Sequence, residues 1–100
     1  MSNERVLIVD DEQAIRRFLR VTLASQAYTV IEASSGQEAL SGAATQKPDI
    51  VILDLGLPDV DGVEVTRLLR QWTQIPIIIL SVRGSERDKI AALDAGQMTI

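Results

Sequence analysis

The chain of 100 residues is 46% hydrophobic and carries a formal charge of −4, which suits one small core and, with Lys and Arg scattered, gives no direct nucleic-acid surface. It has no cysteine and no histidine, so disulfides, thiolate chemistry, His-based zinc sites and serine or cysteine triads are excluded and only oxygen ligands remain. Met1 to Arg5 run into a short apolar segment rather than a signal-peptide core, and no apolar stretch is long enough to span a bilayer, so a cytoplasmic location off the membrane is expected.

Val6-Leu7-Ile8-Val9 reads as a buried strand that ends in acid, Asp10-Asp11-Glu12. An amphipathic helix follows from about Gln13 to Ser25, with Ile15, Phe18, Leu19 and Leu23 on the buried face and Arg16, Arg17 and Arg20 turned away. Tyr28 to Ala33 forms the next strand. Ser35-Gly36-Gln37-Glu38 then has the form of a capping box, opening a helix buried through Ala39, Leu40, Ala43 and Ala44. Lys47-Pro48-Asp49 stops it.

Ile50-Val51-Ile52-Leu53 reads as a strand buried on both faces, ending abruptly in Asp54 and the turn residues Leu55 to Gly62. A third helix carries Val65, Leu68, Leu69 and Trp72, with Trp72 expected in the core. Ile75-Pro76 leads into a fourth strand, Ile77 to Ser81, and Ser85 caps a fourth helix with Ile90, Ala91 and Leu93 before Gly96. Strand and helix thus alternate four times, which predicts an α/β, doubly wound parallel sheet with helices on both faces.

A parallel sheet delivers the C-terminal ends of its strands to one edge, where open α/β folds place ligands. A lone Asp at a strand end reads first as a turn cap, but here Asp10, Asp11 and Asp54 share that edge. Carboxylates so close repel one another unless a cation sits among them. Oxygen donors suit magnesium, so Asp11 and Asp54 are expected as direct Mg2+ ligands, with Asp10 acting through water and a backbone carbonyl near Gly56 completing the set. Ser81 ends the fourth strand at the same edge. Its hydroxyl either satisfies a turn or bonds an oxygen of a group attached to Asp54.

Val6 to Glu12, Leu53-Asp54-Leu55-Gly56-Leu57-Pro58-Asp59-Val60-Asp61-Gly62 and Ile78-Ile79-Leu80-Ser81 resemble the signature segments of two-component response-regulator receiver domains, over about residues 4 to 96. The wording of the helices narrows the resemblance to a branch of transcription regulators that controls potassium uptake. The resemblance implies a flavodoxin-like receiver fold with sheet order 2-1-3-4-5. It implies that Asp54 accepts a phosphoryl group from a sensor histidine kinase, with Mg2+ at Asp10, Asp11, Asp54 and Gly56 and with Ser81 as the hydroxyl that follows the phosphoryl oxygen.

Receivers of this kind continue with a fifth strand ending in Lys-Pro and a fifth helix, and neither is found before Ile100. Residues 1–100 are therefore expected to be one truncated receiver domain of four strands and four helices, without the family's lysine and without a DNA-binding domain. Codons for the family's Ala-Asp-Asp-Tyr-Leu, entered one base late, spell Gln-Met-Thr-Ile, so residues 97–100 are expected to be a frameshift scar. The bare edge of the fourth strand would recruit a second copy, giving a homo-oligomer. Two other activities share the acidic edge: an interaction module that no longer carries phosphorylation, and a Mg2+-dependent aspartyl phosphohydrolase. The latter chemistry wants a second acid two residues past the nucleophile, where Gly56 stands.

Overall fold

The computed structural model describes residues 4–80 and 98–99. In chain order these form β1 (Arg5–Val9), α1 (Gln13–Ala24), β2 (Thr29–Ala33), α2 (Gly36–Gln46), β3 (Ile50–Asp54), α3 (Gly62–Arg70), β4 (Ile77–Leu80) and β5 (Met98–Thr99). The strands make one sheet in the order β2-β1-β3-β4-β5, with every neighbouring pair parallel. Ser81 and the helix expected from Ser85 to Gly96 lie outside the described residues.

Side chains alternate between the two faces of the sheet, as the two-residue period of a strand requires. Leu7 and Val9 of β1, Val51 and Leu53 of β3, and Ile77 and Ile79 of β4 pack with Ala39 and Ala43 of α2 and Val65 and Leu69 of α3. Val6, Ile8 and Ile52 face the other way, against Leu19 and Leu23 of α1. Among the described residues the first cluster is much the larger, and the face under α1 is the more thinly covered.

That imbalance decides how α1 sits. None of its residues is fully buried, and Phe18, expected inside, is 69% exposed, with Val21 at 60%. Leu19 and Leu23 lie one helical turn apart on the stripe that meets the sheet, whereas Phe18 is about 100° round the helix from Leu19 and falls off its margin. Leaving such a side chain in water forgoes about 1.5–3 kcal/mol. Arg16, expected to point away, is only 15% exposed in its side chain and turns toward the sheet. Trp72 is 54% exposed rather than core, because α3 ends at Arg70 and the helical period no longer governs the turn after it. Ala44 is exposed, while Gly36, Ala39 and Ala43 are buried and Leu40 packs partly buried against the core. In a helix so rich in small residues the pattern does not separate one side from another.

The edge of the sheet also differs from expectation. The four expected strands stand in the expected order, but the position beside β4 holds a two-residue strand, with Ile78 opposite Met98 and Ile79 opposite Thr99. Unpaired N–H and C=O groups on an edge take any extended backbone that reaches them, and two residues suffice to pair. The bare edge expected to recruit another chain is thereby covered over Ile78 and Ile79.

Local bonds tie the loops down. Ser35 Oγ accepts the Glu38 N–H at 3.1 Å, as a capping box predicts, but Glu38 reaches back to Ser34, accepting from its hydroxyl at 2.7 Å and its N–H at 3.3 Å. The remaining donors at the start of α2 are met from across the fold. Asp59 Oδ1 accepts the Gly36 N–H at 2.8 Å and Oδ2 accepts the Gln37 N–H at 3.0 Å. These bonds, Gly36 first, hold the Asp59 carboxyl below its ordinary value of 3.8.

A depressed carboxylate contributes stability that is present above its unfolded value and lost as pH falls through its folded one. Asp59→Asn is therefore expected to unfold at lower denaturant than the unaltered chain at neutral pH, with the gap closing in acid below the folded value. Denaturation curves at a series of pH values check this, and a gap of constant size would show that charge plays no part.

Candidate functional site

The parallel register of β1 and β3 sets Val9 beside Leu53, so Asp10, just past the end of β1, and Asp54, the last residue of β3, come side by side at the C-terminal edge of the sheet. Asp11 follows at the same edge. One carboxylate oxygen from each of Asp10, Asp11 and Asp54 lies within 4.8 Å of the others. Asp10 is 3% exposed, Asp54 is half-buried and Asp11 is exposed.

Each acid is set by its backbone surroundings. The Asp10 N–H donates to the Ala33 carbonyl at 3.1 Å, and its Oδ1 accepts the Glu12 N–H at 2.8 Å. Glu12, the N-cap of α1, uses no side-chain bond of its own there, so Asp10 takes over part of that cap. Asp54 Oδ1 accepts the Gly56 N–H at 3.2 Å. Burial raises the Asp54 carboxyl above its ordinary value of 3.8, the Gly56 N–H opposes that, and the charges of Asp10 and Asp11 add to it.

Two residues hold this edge together that the sequence did not single out for it. Gly62, at the start of α3, lies so close under the loop that a Cβ there would meet Leu55 Cα at 2.7 Å and the Asp54 carbonyl oxygen at 2.9 Å. Its N–H donates to the Leu55 carbonyl at 3.2 Å. Arg16 donates from Nη1 to the Asp10 carbonyl at 2.6 Å. Its place beside Leu19 and Leu23 on α1, with an acid at Glu32 next to the end of β2, is the signal the sequence carries.

The cluster fits a hard divalent cation. Mg2+ takes oxygen ligands at about 2.0–2.1 Å, so two of them on opposite sides of one ion stand about 4.2 Å apart, which small side-chain rotations reach from the spacing seen. The charges of Asp10 and Asp11 add to the elevation of the Asp54 carboxyl, and a cation among the three would relieve that repulsion. Gly56 stands beside them: a Cβ on it would meet only the Asp54 carboxylate oxygens, at 3.9 and 4.0 Å. The position of Ser81 relative to this cluster falls outside the described residues.

The family profile of the response regulator receiver domain matches residues 6–100. The chain belongs to this family. Among curated receivers, it is 63% identical over 91 residues to the KDP operon transcriptional regulatory protein KdpE of Escherichia coli, covering 91% of this chain and 40% of that protein. KdpE of Mycobacterium tuberculosis is 53% identical over 91 residues, with 91% and 40% covered. The chain thus spans about 40% of the length of the curated relatives it matches. Among solved receivers, the chemotaxis protein CheY4 of Vibrio cholerae superposes with a TM-score of 0.89 at 31% identity, covering 98% of this chain and 84% of that one.

Two outcomes are expected for this receiver site. Gly62→Ala should destabilise the fold by about 1–3 kcal/mol, since backbone atoms rather than a flexible side chain must yield; equal unfolding midpoints for the two chains would show that the close approach relaxes freely. A raised carboxyl costs folding stability as pH climbs through its unfolded and then its folded value. Without divalent cation, Asp54→Asn should therefore melt higher than the unaltered chain at neutral pH, and added Mg2+ should raise the melting temperature of the unaltered chain far more than that of the variant.

Proposed function

We propose that this receiver is the phosphoacceptor of a two-component phosphorelay in a KdpE-like, transcription-regulating system for potassium uptake, acting in the cytoplasm with a sensor histidine kinase. The observation that carries the reading is the convergence of Asp10, Asp11 and Asp54 at the C-terminal edge of the sheet, with carboxylate oxygens within 4.8 Å. The likeness to the two KdpE proteins supports the choice of branch.

In the proposed reaction an Asp54 carboxylate oxygen attacks the phosphorus of a phosphohistidine. The new O–P bond forms as the P–N bond breaks, and the bonding pair leaves with the imidazole nitrogen, giving an acyl phosphate on Asp54. Asp11 and Asp54 would hold Mg2+ directly, with Asp10 through water and the Gly56 carbonyl completing the protein's share. The bound ion supplies neutralisation of charge on the phosphoryl oxygens. The Gly56 N–H favours the ionised Asp54 that attack requires, against the burial that disfavours it. Ser81 keeps its proposed part of following the phosphoryl oxygen.

Incubation with a small phosphodonor and Mg2+ tests this. The expected result is a stable mass gain of one phosphoryl group, located on Asp54 and absent from Asp54→Asn and from samples stripped of divalent cation. Phosphate release with turnover would make the chain an aspartyl phosphohydrolase, and no reaction would leave an interaction module.

The proposal includes self-association at the sheet edge beside β4, where, among the described residues, β5 covers Ile78 and Ile79 and leaves Ile77 and Leu80 of β4 without a strand partner on that side. Light scattering coupled to size exclusion should show mass rising with concentration. A constant monomer mass across the range would remove this part and leave the phosphoacceptor reading standing.

A further inference from the structure

Asp11 supplies a carboxylate to the acidic edge from an exposed position, and no hydrogen bond to that carboxylate comes from the described residues. Its aim therefore depends on the backbone that carries it. The peptide unit joining Asp10 to Asp11 is planar, so fixing the Asp10 carbonyl also fixes the Asp11 N–H and the direction in which Asp11 Cα leaves.

Both ends of the Asp10 backbone are held. Its N–H donates to the Ala33 carbonyl of β2 at 3.1 Å. Its carbonyl accepts Arg16 Nη1 at 2.6 Å. Arg16 is itself secured, with Nε 3.3 Å from Glu32 Oε1, and Arg20 Nε lies 3.3 Å from the other oxygen of the same carboxylate. The planar guanidinium with its several donors suits one side chain to two acceptors at once.

We propose that Arg16 is a positioning residue for the metal site: its guanidinium, held by Glu32, clamps the Asp10 carbonyl and so presets the Asp11 carboxylate for a divalent cation. This rests on the reading of Asp10, Asp11 and Asp54 as the Mg2+ site. Partners that orient a ligand without touching the metal govern affinity by about 10- to 100-fold when removed.

The clamp and simple electrostatics predict opposite signs. A guanidinium near a cation site repels the cation, so on charge alone the loss of Arg16 would tighten Mg2+ binding. As a clamp, its loss weakens binding. Arg20 is the control, because it shares Glu32 and carries the same charge, while Arg16 is the one of the two that bonds the Asp10 carbonyl.

Calorimetric Mg2+ titrations of the unaltered chain, Arg16→Gln, Arg16→Lys, Glu32→Gln and Arg20→Gln decide between them, with thermal melts recorded alongside. Arg16→Gln should weaken binding by about 10- to 100-fold. Arg16→Lys should recover part of that loss. Glu32→Gln, which frees Arg16 without changing it, should weaken binding less than Arg16→Gln, and the double variant should bind no more weakly than Arg16→Gln alone. Arg20→Gln should bind as the unaltered chain does, whatever its melting temperature.

Unchanged or tighter binding in a folded Arg16→Gln chain overturns the proposal, as does equal weakening in Arg20→Gln. If Arg16→Gln does not fold, Glu32→Gln carries the test, and unchanged affinity there overturns it. Failure of the underlying reading looks different. An unaltered chain that binds no Mg2+, or an Asp54→Asn chain that binds it equally well, removes the site itself and the Arg16 clamp with it.

Discussion

Parallel pairing of β1 with β3, Val9 beside Leu53, is the constraint from which the rest of the molecule follows. A shift of one residue along either strand would turn its side chains to the opposite face and unseat Leu7 and Val9 or Val51 and Leu53 from the core. The hydrophobic cluster therefore enforces the register, and the register brings Asp10 next to Asp54. Core packing on this chain is what assembles two like charges that would otherwise separate.

The crowding has to be borne by the surroundings. Asp10 is buried yet bonded to the Glu12 N–H, and Asp54 is half-buried yet bonded to the Gly56 N–H. Both bonds come from the turn immediately after a strand, so the same few residues end the strand, satisfy the carboxylate and point it out of the sheet. On the far side of the loop, Asp59 fastens the segment after β3 to the start of α2 through Gly36 and Gln37. Gly62 lets α3 begin directly beneath Leu55. The acidic edge is thus held by backbone donors from three directions.

Much of this was legible in the sequence. The apolar runs at Val6 to Val9, Ile50 to Leu53 and Ile77 to Leu80 are strands, because four successive β-favouring residues bounded by acids or proline leave few alternatives. The three carboxylates were found by asking where parallel strands end, and the structure brings them together. What escaped lies where the sequence pattern carries little information. Phe18 and Leu19 are both apolar and adjacent, and only the thin cover on one sheet face decides that Leu19 packs and Phe18 does not. Arg16 looks like any exposed cation until Glu32 and the Asp10 carbonyl are placed beside it. Trp72 was assigned to a helix that stops two residues earlier. The second half of the capping box went to Ser34 rather than Ser35, a choice of one residue that propensity does not resolve.

Helix α1 is attached to the sheet by partly buried Leu19 and Leu23 and by the Arg16–Glu32–Arg20 bridge, with none of its residues fully buried. In α3, by contrast, Val65, Thr66 and Leu69 are sealed in the core. The two helices therefore belong to different cooperative units: α1 can detach locally at far less cost than α3, which opens only with the core. Because α1 begins directly after Asp10, Asp11 and Glu12, each such excursion releases the Asp10 carbonyl from Arg16 and loosens one wall of the acidic edge while Asp54 stays in place. A cation bridging Asp11 and Asp54 would then act as a staple across that hinge, slowing amide exchange along α1 while leaving that of α3 nearly unchanged.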